Sequence, residues 1–187
     1  MLHLFTGIGL PLSVRQQLST LRGVISRARW MEPDSYHITL SFIGEVDETT
    51  AEDIDEALSG IRSPSFQLTL KGAGYFLGNK SSQHLWIGVD YKETLHRLKE
   101  KIDRAFEARR LPFEKRKYIP HVTVAKLKYS DESEAAMFMQ QHNLFTSTPF
   151  EISEFILYQS YVGKEGTSYR GLKTYPFTPG ATFGPSS

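Results

Sequence analysis

Cysteine is absent from this sequence of 187 residues, which excludes disulfide bonds, cysteine nucleophiles and thiolate metal sites. No apolar stretch reaches the roughly 20 residues that a membrane-spanning helix needs. An excess of charge of one sign is also lacking: the formal net charge is +1, so net charge alone does not draw the chain to nucleic acid or to a membrane. The first residues lack the basic segment of a signal peptide, so we expect a cytoplasmic location.

What is present is the composition of an ordinary globular protein, with 40% hydrophobic and 12% aromatic residues. The length suits one domain, or two small lobes that share a core. Charge is uneven along the chain, since residues 45–56 carry seven acidic side chains and no basic one, whereas residues 109–128 carry seven basic side chains and one acidic. We interpret the acidic run as a solvated surface. The basic run is either a solvated surface or one that attracts phosphate.

The motif His-x-Thr occurs twice, at His37 and Thr39 and again at His121 and Thr123. In both places apolar residues alternate with the histidine and the threonine, which is typical of a half-buried strand. Residues two apart on a strand share a face, so each histidine lies beside its threonine. Two imidazoles and two hydroxyls are suited to proton transfer and hydrogen bonding around a phosphate group. We therefore expect these four residues to be catalytic.

A metal site is not expected from these histidines. Catalytic zinc sites use three protein ligands, usually with two of them at close spacing in the sequence. Here His37 and His121 are 84 residues apart, and no acidic residue accompanies either of them on its strand face. The sequence therefore predicts a reaction without a metal or another cofactor.

Each half of the chain follows the order strand, helix, strand, helix, strand, with a period of roughly 80 residues. Four matched elements in the same order favour a duplication over chance similarity. We predict an α+β, bilobal fold: two pseudo-symmetric lobes of antiparallel sheet with outer helices around a central cleft. The predicted helices are 12–28, 47–61, 92–108 and 131–142. The predicted organisation is a single domain over 1–177, followed by a flexible tail at 178–187. Within that domain we expect lobes at 1–80 and 81–160 and a terminal hairpin at 161–177.

These motifs and their surroundings resemble the 2H phosphoesterase superfamily, which is named for its two His-x-Thr/Ser motifs. The chain resembles more closely the bacterial RNA 2′,3′-cyclic phosphodiesterases, long called 2′-5′ RNA ligases. The similarity extends over residues 1 to about 177, and it is carried by Trp30, residues 36–45, 85–89, 113–114, 120–125 and 155–160, and Tyr169.

The resemblance implies hydrolysis of a 2′,3′-cyclic phosphate to a 2′-phosphate. It implies that His121 accepts a proton from the attacking water and that His37 donates one to the leaving 3′-oxygen, an order that the sequence alone does not fix. Thr39 and Thr123 would donate hydrogen bonds to the phosphate oxygens. The implied substrates are RNA ends or small cyclic nucleotides. We expect a monomer that does not associate with a membrane and has no obligate protein partner.

Three further residues are candidates for substrate binding. The family often carries an arginine five residues after the second motif histidine, where this chain has Lys126. Strict alternation would place Lys126 on the face opposite His121, unless the strand bends or ends there. Phe5 and Tyr158 could stack on a base, although core packing is the commoner role of such residues. Phe42 is expected on the apolar face of its strand.

Two alternative functions remain open at this point. The first is the joining of RNA ends through a 2′-5′ linkage, which requires that a second RNA be held in place against competition from water. The second is a non-catalytic nucleotide or RNA binder on the same scaffold. A binder would not need both histidines, and this chain has both, so hydrolysis is the leading hypothesis.

Overall fold

The computed structural model describes residues 1–178 except positions 24, 26, 79–81 and 129–131. Its helices are α1 (Leu12–Ser19), α2 (Glu48–Ser59), α3 (Glu93–Ala108) and α4 (Glu132–His142), with a short 3-10 helix at Pro33–Ser35. Its strands are β1 (Leu2–Gly9), β2 (Ala28–Trp30), β3 (His37–Val46), β4 (Phe66–Leu68), β5 (Leu70–Leu77), β6 (Gln83–Val89), β7 (His121–Leu127), β8 (Phe150–Ile152), β9 (Glu154–Gly163) and β10 (Gly166–Pro176).

Two four-stranded antiparallel sheets make up most of the fold. The first sheet has the strand order β10-β9-β1-β3, and the second has the order β2-β7-β6-β5. The short strands β4 and β8 pair with each other. The predicted α+β class with antiparallel sheets is confirmed.

Each sheet takes strands from both halves of the chain, so the two sheets are not built from the contiguous segments 1–80 and 81–160 that the repeat suggested. Strand β5 belongs to the first half of the sequence, but it pairs with β6 in the second sheet. Strand β9 belongs to the second half, but it pairs with β1 in the first sheet. Local periodicity predicts that such strands exist, but it carries no information on which lobe they join.

The prediction of a helix over 12–28 is wrong beyond Ser19, where α1 ends. Leu21 and Ile25 continue the apolar spacing of the helix, and both are buried. Neither residue is helical, and the chain continues from them to β2, which pairs with β7 in the other sheet. The other three helices begin and end within two residues of their predicted bounds. No helix in the described part of the chain is long and apolar enough to cross a membrane.

The apolar faces of the two motif strands lie in the core. Ile38 and Leu40 of β3 and Val122 and Val124 of β7 are at most 2% exposed. Helix α3 packs against β3, and α4 packs against β5 and β6. The core thus fixes the position of both motif strands, which leaves their opposite faces available for a site.

The C-terminal strands close the first sheet. Strands β9 and β10 form a hairpin that turns at residues 163–166 and pairs along its whole length. Beyond it, the N–H groups of Phe177 and Thr178 donate to the carbonyls of Ser153 at 2.7 Å and Ser63 at 3.1 Å. The rest of the predicted tail, residues 179–187, lies outside the described residues.

Candidate active site

His37 and His121 stand at the first positions of β3 and β7, and the backbone holds them in the same way. The Nδ1–H of His37 donates to the carbonyl of Ser35 at 2.7 Å, and the Nδ1–H of His121 donates to the carbonyl of Ile119 at 2.7 Å. A carbonyl oxygen can only accept, so in each neutral ring the proton is on Nδ1 and Nε2 keeps a free lone pair. Each Nε2 can therefore accept a proton, and can donate it once the ring is protonated.

The two motif strands pack against each other at the junction of the lobes. The hydroxyl of Tyr118 donates to the carbonyl of Thr39 at 3.1 Å, and the N–H of Glu114 donates to the carbonyl of Phe42 at 2.8 Å. The segment that leads into β7 therefore runs beside β3. This contact places one His-x-Thr motif next to the other.

A cavity of about 550 Å³ opens at this junction, within the range of roughly 300–1,000 Å³ that is common for ligand clefts. Of the residues predicted for the site, Thr39 and His121 line it, whereas the other predicted residues lie outside its lining. The remaining walls come from β3, residues 76–78, His84, Lys99 of α3 and most of residues 114–119. Among the described residues, no three His, Asp or Glu side chains are grouped so that they could hold a metal ion.

Lys126 lies on the same face of β7 as Thr123, contrary to the expectation from strict alternation. Strand β7 carries a β-bulge at Val124, where its register against β6 shifts by one residue. The extra residue returns Lys126 to the face of the motif, opposite His84. Lys126 is half-buried there, and its positive charge acts on the imidazoles of His84 and His37. The bulge therefore brings a cation to the site.

A matching bulge lies in β3. The register of β3 against β1 shifts at Leu40, so Phe42, which was expected on the apolar face, is instead on the cleft face opposite Phe5. The ring of Phe42 lies 5.5 Å from that of His3 and lines the cavity. Phe42 and Lys126 each follow a motif histidine by five residues. The first lobe thus has an aromatic ring where the second has a cation.

The strand pairing shows which residues of β1 and β6 correspond. Gly9 lies opposite the first motif histidine and Gly88 lies opposite the second. The same register makes Phe5 of the first sheet correspond to His84 of the second. His84 therefore occupies a position beside the site, and it lines the cavity.

Aromatic rings surround His37. Its ring centroid lies 4.9 Å from that of Phe5, 5.8 Å from that of Tyr158 and 4.7 Å from that of Tyr169. Phe5 is only 2% exposed, so it supports the imidazole and has no free face for a base, contrary to its predicted role. Tyr158 is half-buried, and burial raises the pKa of its hydroxyl to about 12. That hydroxyl therefore stays protonated at neutral pH.

His121 has aromatic neighbours of its own. Its ring centroid lies 4.9 Å from that of Phe76 and 5.8 Å from that of Trp86. Neither residue was predicted to be near the site, and Tyr169 beside the other histidine was not predicted as a site residue either. Long-range strand pairing brings these rings to the histidines, and no local pattern in the sequence predicts that pairing.

Burial controls the charge state of both histidines. It lowers the pKa of His37 to about 4; the Ser35 carbonyl opposes the shift, and the charges of His121 and Lys126 add to it. Burial also lowers the pKa of His121 below its ordinary value of 6.5. In the free protein both imidazoles are therefore mainly neutral at pH 7.

Two antiparallel lobes that each bring a His-x-Thr strand with an anchored imidazole to a shared junction define a two-histidine phosphoesterase as the class of protein. Comparison with known proteins agrees with that class. The chain belongs to the 2′-5′ RNA ligase superfamily, whose family model matches residues 10–164.

Individual relatives match over most of their length. An RNA 2′,3′-cyclic phosphodiesterase of Thermotoga maritima is 31% identical over 155 residues, which covers 82% of this chain and 81% of the relative. A protein of the same name from Archaeoglobus fulgidus is 30% identical over 179 residues, covering 93% and 99%. Among solved structures, E. coli LigT in complex with 3′-AMP has a TM-score of 0.76 at 27% identity, covering 95% of this chain and 98% of that one.

Proposed function

We propose that the protein hydrolyses RNA 2′,3′-cyclic phosphate ends to 2′-phosphates, with His37 as general acid and His121 as general base. The observation that carries the proposal is the pair of imidazoles on two strands that pack against each other across the junction of the sheets, each with its Nδ1–H bonded to a backbone carbonyl at 2.7 Å. The relatives named RNA 2′,3′-cyclic phosphodiesterase support the same reaction.

Ring opening needs two proton transfers on opposite sides of the phosphorus. Water attacks the phosphorus while its proton passes to Nε2 of His121, and a new bond forms between oxygen and phosphorus. The bond from phosphorus to the 3′-oxygen breaks as Nε2–H of His37 protonates that oxygen. The products are a 3′-hydroxyl and a 2′-phosphate, and exchange of protons with solvent restores the starting charge states.

The acid role of His37 depends on the substrate, because its low pKa disfavours the protonated form in the free protein. An anionic phosphate beside the imidazole stabilises the imidazolium and raises that pKa. Once protonated, a ring with an intrinsically low pKa is a strong donor to the leaving oxygen. The aromatic surroundings of His37 thus suit the acid role in the complex.

The remaining polar groups stabilise the charge that develops on the phosphate. The hydroxyls of Thr39 and Thr123 donate hydrogen bonds to its non-bridging oxygens. Lys126 lies on the face of Thr123 and supplies a positive charge, although its single ammonium lacks the bidentate fork of an arginine. The ring of Tyr158 lies beside that of His37, and its protonated hydroxyl can contact the nucleoside.

The direct test uses an RNA that ends in a 2′,3′-cyclic phosphate, incubated with the protein in the presence of a chelator. We expect a product with a 2′-phosphate, and a loss of roughly 10²–10⁴-fold in kcat for His37→Ala and for His121→Ala. The matched control is His142→Ala on α4, outside the cavity lining. Binding of a nucleoside 2′-phosphate without turnover of the cyclic form would instead identify a non-catalytic binder.

We propose in addition that the protein acts as a monomer in the cytoplasm. One chain supplies both imidazoles and both motif threonines, so the site needs no second subunit. RNA fragments with cyclic phosphate ends arise where RNA is cleaved inside cells, which favours the cytoplasm. Size-exclusion chromatography with light scattering tests the oligomeric state.

A further inference from the structure

We infer that His84 is a further ligand of the reacting phosphate, and that its imidazole N–H and the ammonium of Lys126 donate to oxygens of the same phosphate group. The inference rests on the proposed function and adds a binding residue to it. His84 belongs to neither His-x-Thr motif, and its place beside the site follows from strand pairing.

His84 lies in a cross-strand row on the cleft face of the second sheet. It is directly opposite Lys126 of β7 on one side and directly opposite Phe76 of β5 on the other. Residues directly opposite each other have Cβ atoms about 4.5–5.5 Å apart, so the imidazole and the ammonium start from neighbouring points. The ring of Phe76 lies 4.9 Å from that of His121, and His84 and His121 line the same cavity. The row therefore borders the place where the phosphate reacts.

The positive charge of this row has no partner of opposite sign among the described residues. Lys126 is half-buried and forms no ion pair with any of them, and Arg29 of β2 lies directly opposite it. Burial lowers the pKa of Lys126, and the charges of Arg29 and Lys128 lower it further. Like charges directly opposite each other destabilise a sheet. Because Glu114, the acidic side chain of the cavity lining, is paired with Arg116 at 3.2 Å, these cations suit an anion from outside the chain.

His84 has a donor available for that anion. Neither of its ring nitrogens is hydrogen-bonded to a described residue, in contrast to the anchored Nδ1–H groups of His37 and His121. A neutral imidazole carries one N–H in either tautomer, so a ring without an anchor can present it to a ligand. Burial and the charges of Lys126 and His121 lower the pKa of His84, which keeps the ring neutral in the free protein. Its chemistry is therefore that of a hydrogen-bond donor, and proton transfer belongs to the two anchored rings.

A second donor complements what Lys126 supplies. An ammonium is a compact point charge on a flexible stem, so by itself it does not fix the orientation of a phosphate group. An N–H that comes from a neighbouring strand adds the missing direction. The guanidinium of an arginine would present two such N–H donors from one side chain. An arginine at position 126 should therefore replace part of what His84 contributes.

The experiment measures the binding of adenosine 2′-phosphate, and of adenosine as the ligand that lacks the phosphate, by titration calorimetry and chemical-shift titration. His84→Val keeps a residue that favours strands but removes the donor, whereas His84→Gln keeps an N–H donor. Lys126→Arg is made alone and together with His84→Val. His142→Val on α4, outside the cavity lining, is the matched control for the loss of a histidine.

We expect His84→Val to weaken the binding of adenosine 2′-phosphate by about 10- to 100-fold, which is typical for the loss of a hydrogen bond to a charged group. The binding of adenosine should not change. His84→Gln should keep most of the affinity, and His142→Val should keep all of it. Lys126→Arg should strengthen binding more in the His84→Val background than in the wild type, because the arginine then replaces the missing donor.

Equal weakening of both ligands by His84→Val would overturn the inference, because His84 would then act on the nucleoside or on the fold. Unchanged binding of adenosine 2′-phosphate, or an equal effect of Lys126→Arg in the two backgrounds, would also overturn it. These measurements need no turnover. A wild-type protein that binds adenosine 2′-phosphate but does not hydrolyse the cyclic form would therefore contradict the proposed function alone.

Discussion

At the scale of single residues, the surroundings of His37 set the pH dependence of the site. Phe5, Tyr158 and Tyr169 exclude water from one side of its ring, and the charge of Lys126 opposes protonation. The productive state needs one neutral and one protonated imidazole. Because both pKa values are lowered in the free protein, the fraction in this state is largest on the acidic side of neutrality.

We predict that kcat/KM follows a bell-shaped pH profile with its maximum between about pH 4 and 6.5, since kcat/KM reports the free protein. The profile of kcat should be displaced to higher pH, because bound phosphate raises the pKa of the imidazoles. Steady-state rates measured from pH 4 to 9 at constant ionic strength check both curves. The apparent pKa values read from the two limbs of each curve describe the coupled pair of histidines and not either residue alone.

The variant Lys126→Met provides the control for the electrostatic part of this prediction. It removes a charge that lowers the pKa of His37, so the acidic limb should move to higher pH even though the rate falls. A maximum of kcat/KM above pH 7 in the wild type would contradict the low pKa values on which the profile depends.

At the scale of elements, the motif residues could be predicted from sequence because they need only the alternation of one strand. His37 and Thr39 precede the bulge of β3, and alternation holds up to that point. Phe42 and Lys126 follow a bulge, and alternation assigns both of them to the wrong face. A bulge is one extra residue relative to the partner strand, so its position depends on a pairing that lies outside the segment.

The bulge in β3 is tied to α3 by a polar network. It turns Ser41 toward the core, where its hydroxyl donates to Asp103 at 2.5 Å. Lys99 pairs with the same carboxylate, and its ammonium lies 5.7 Å from the centre of the Tyr118 ring. The Tyr118 hydroxyl in turn donates to the carbonyl of Thr39. The network therefore fixes the strand on which the first motif lies.

We predict that Asp103→Ala lowers the free energy of unfolding by about 1–3 kcal/mol, because it leaves the nearly buried Lys99 without its partner. Asp90→Ala is the matched control: its pair with Lys71, at 3.9 Å, is exposed and should contribute at most about 0.5 kcal/mol. Urea unfolding followed by circular dichroism measures both. Equal stability of the two variants would show that the network does not hold β3.

At the scale of the whole molecule, the exchange of strands makes the two lobes interdependent. The sequence repeat suggested two similar halves, and similar halves could have folded as separate units. Instead, β5 completes the second sheet and β9 with β10 complete the first. This exchange of strands between the two sheets could not be predicted from the repeat, because strands of the same local pattern can pair in either sheet.

We therefore predict that neither half folds alone. A cut between β5 and β6 yields one piece with His37 and another with His121. In the first piece β1 keeps its pairing with β3 but loses β9, while β2 and β5 lose their partners β7 and β6. Each piece alone should lack a cooperative thermal transition and all activity, whereas the two produced together should recover hydrolysis, because association restores both sheets. Calorimetry and the cyclic phosphate assay test this, with the intact chain as the reference. A separate cooperative transition in either isolated piece would show that the lobes are independent folding units.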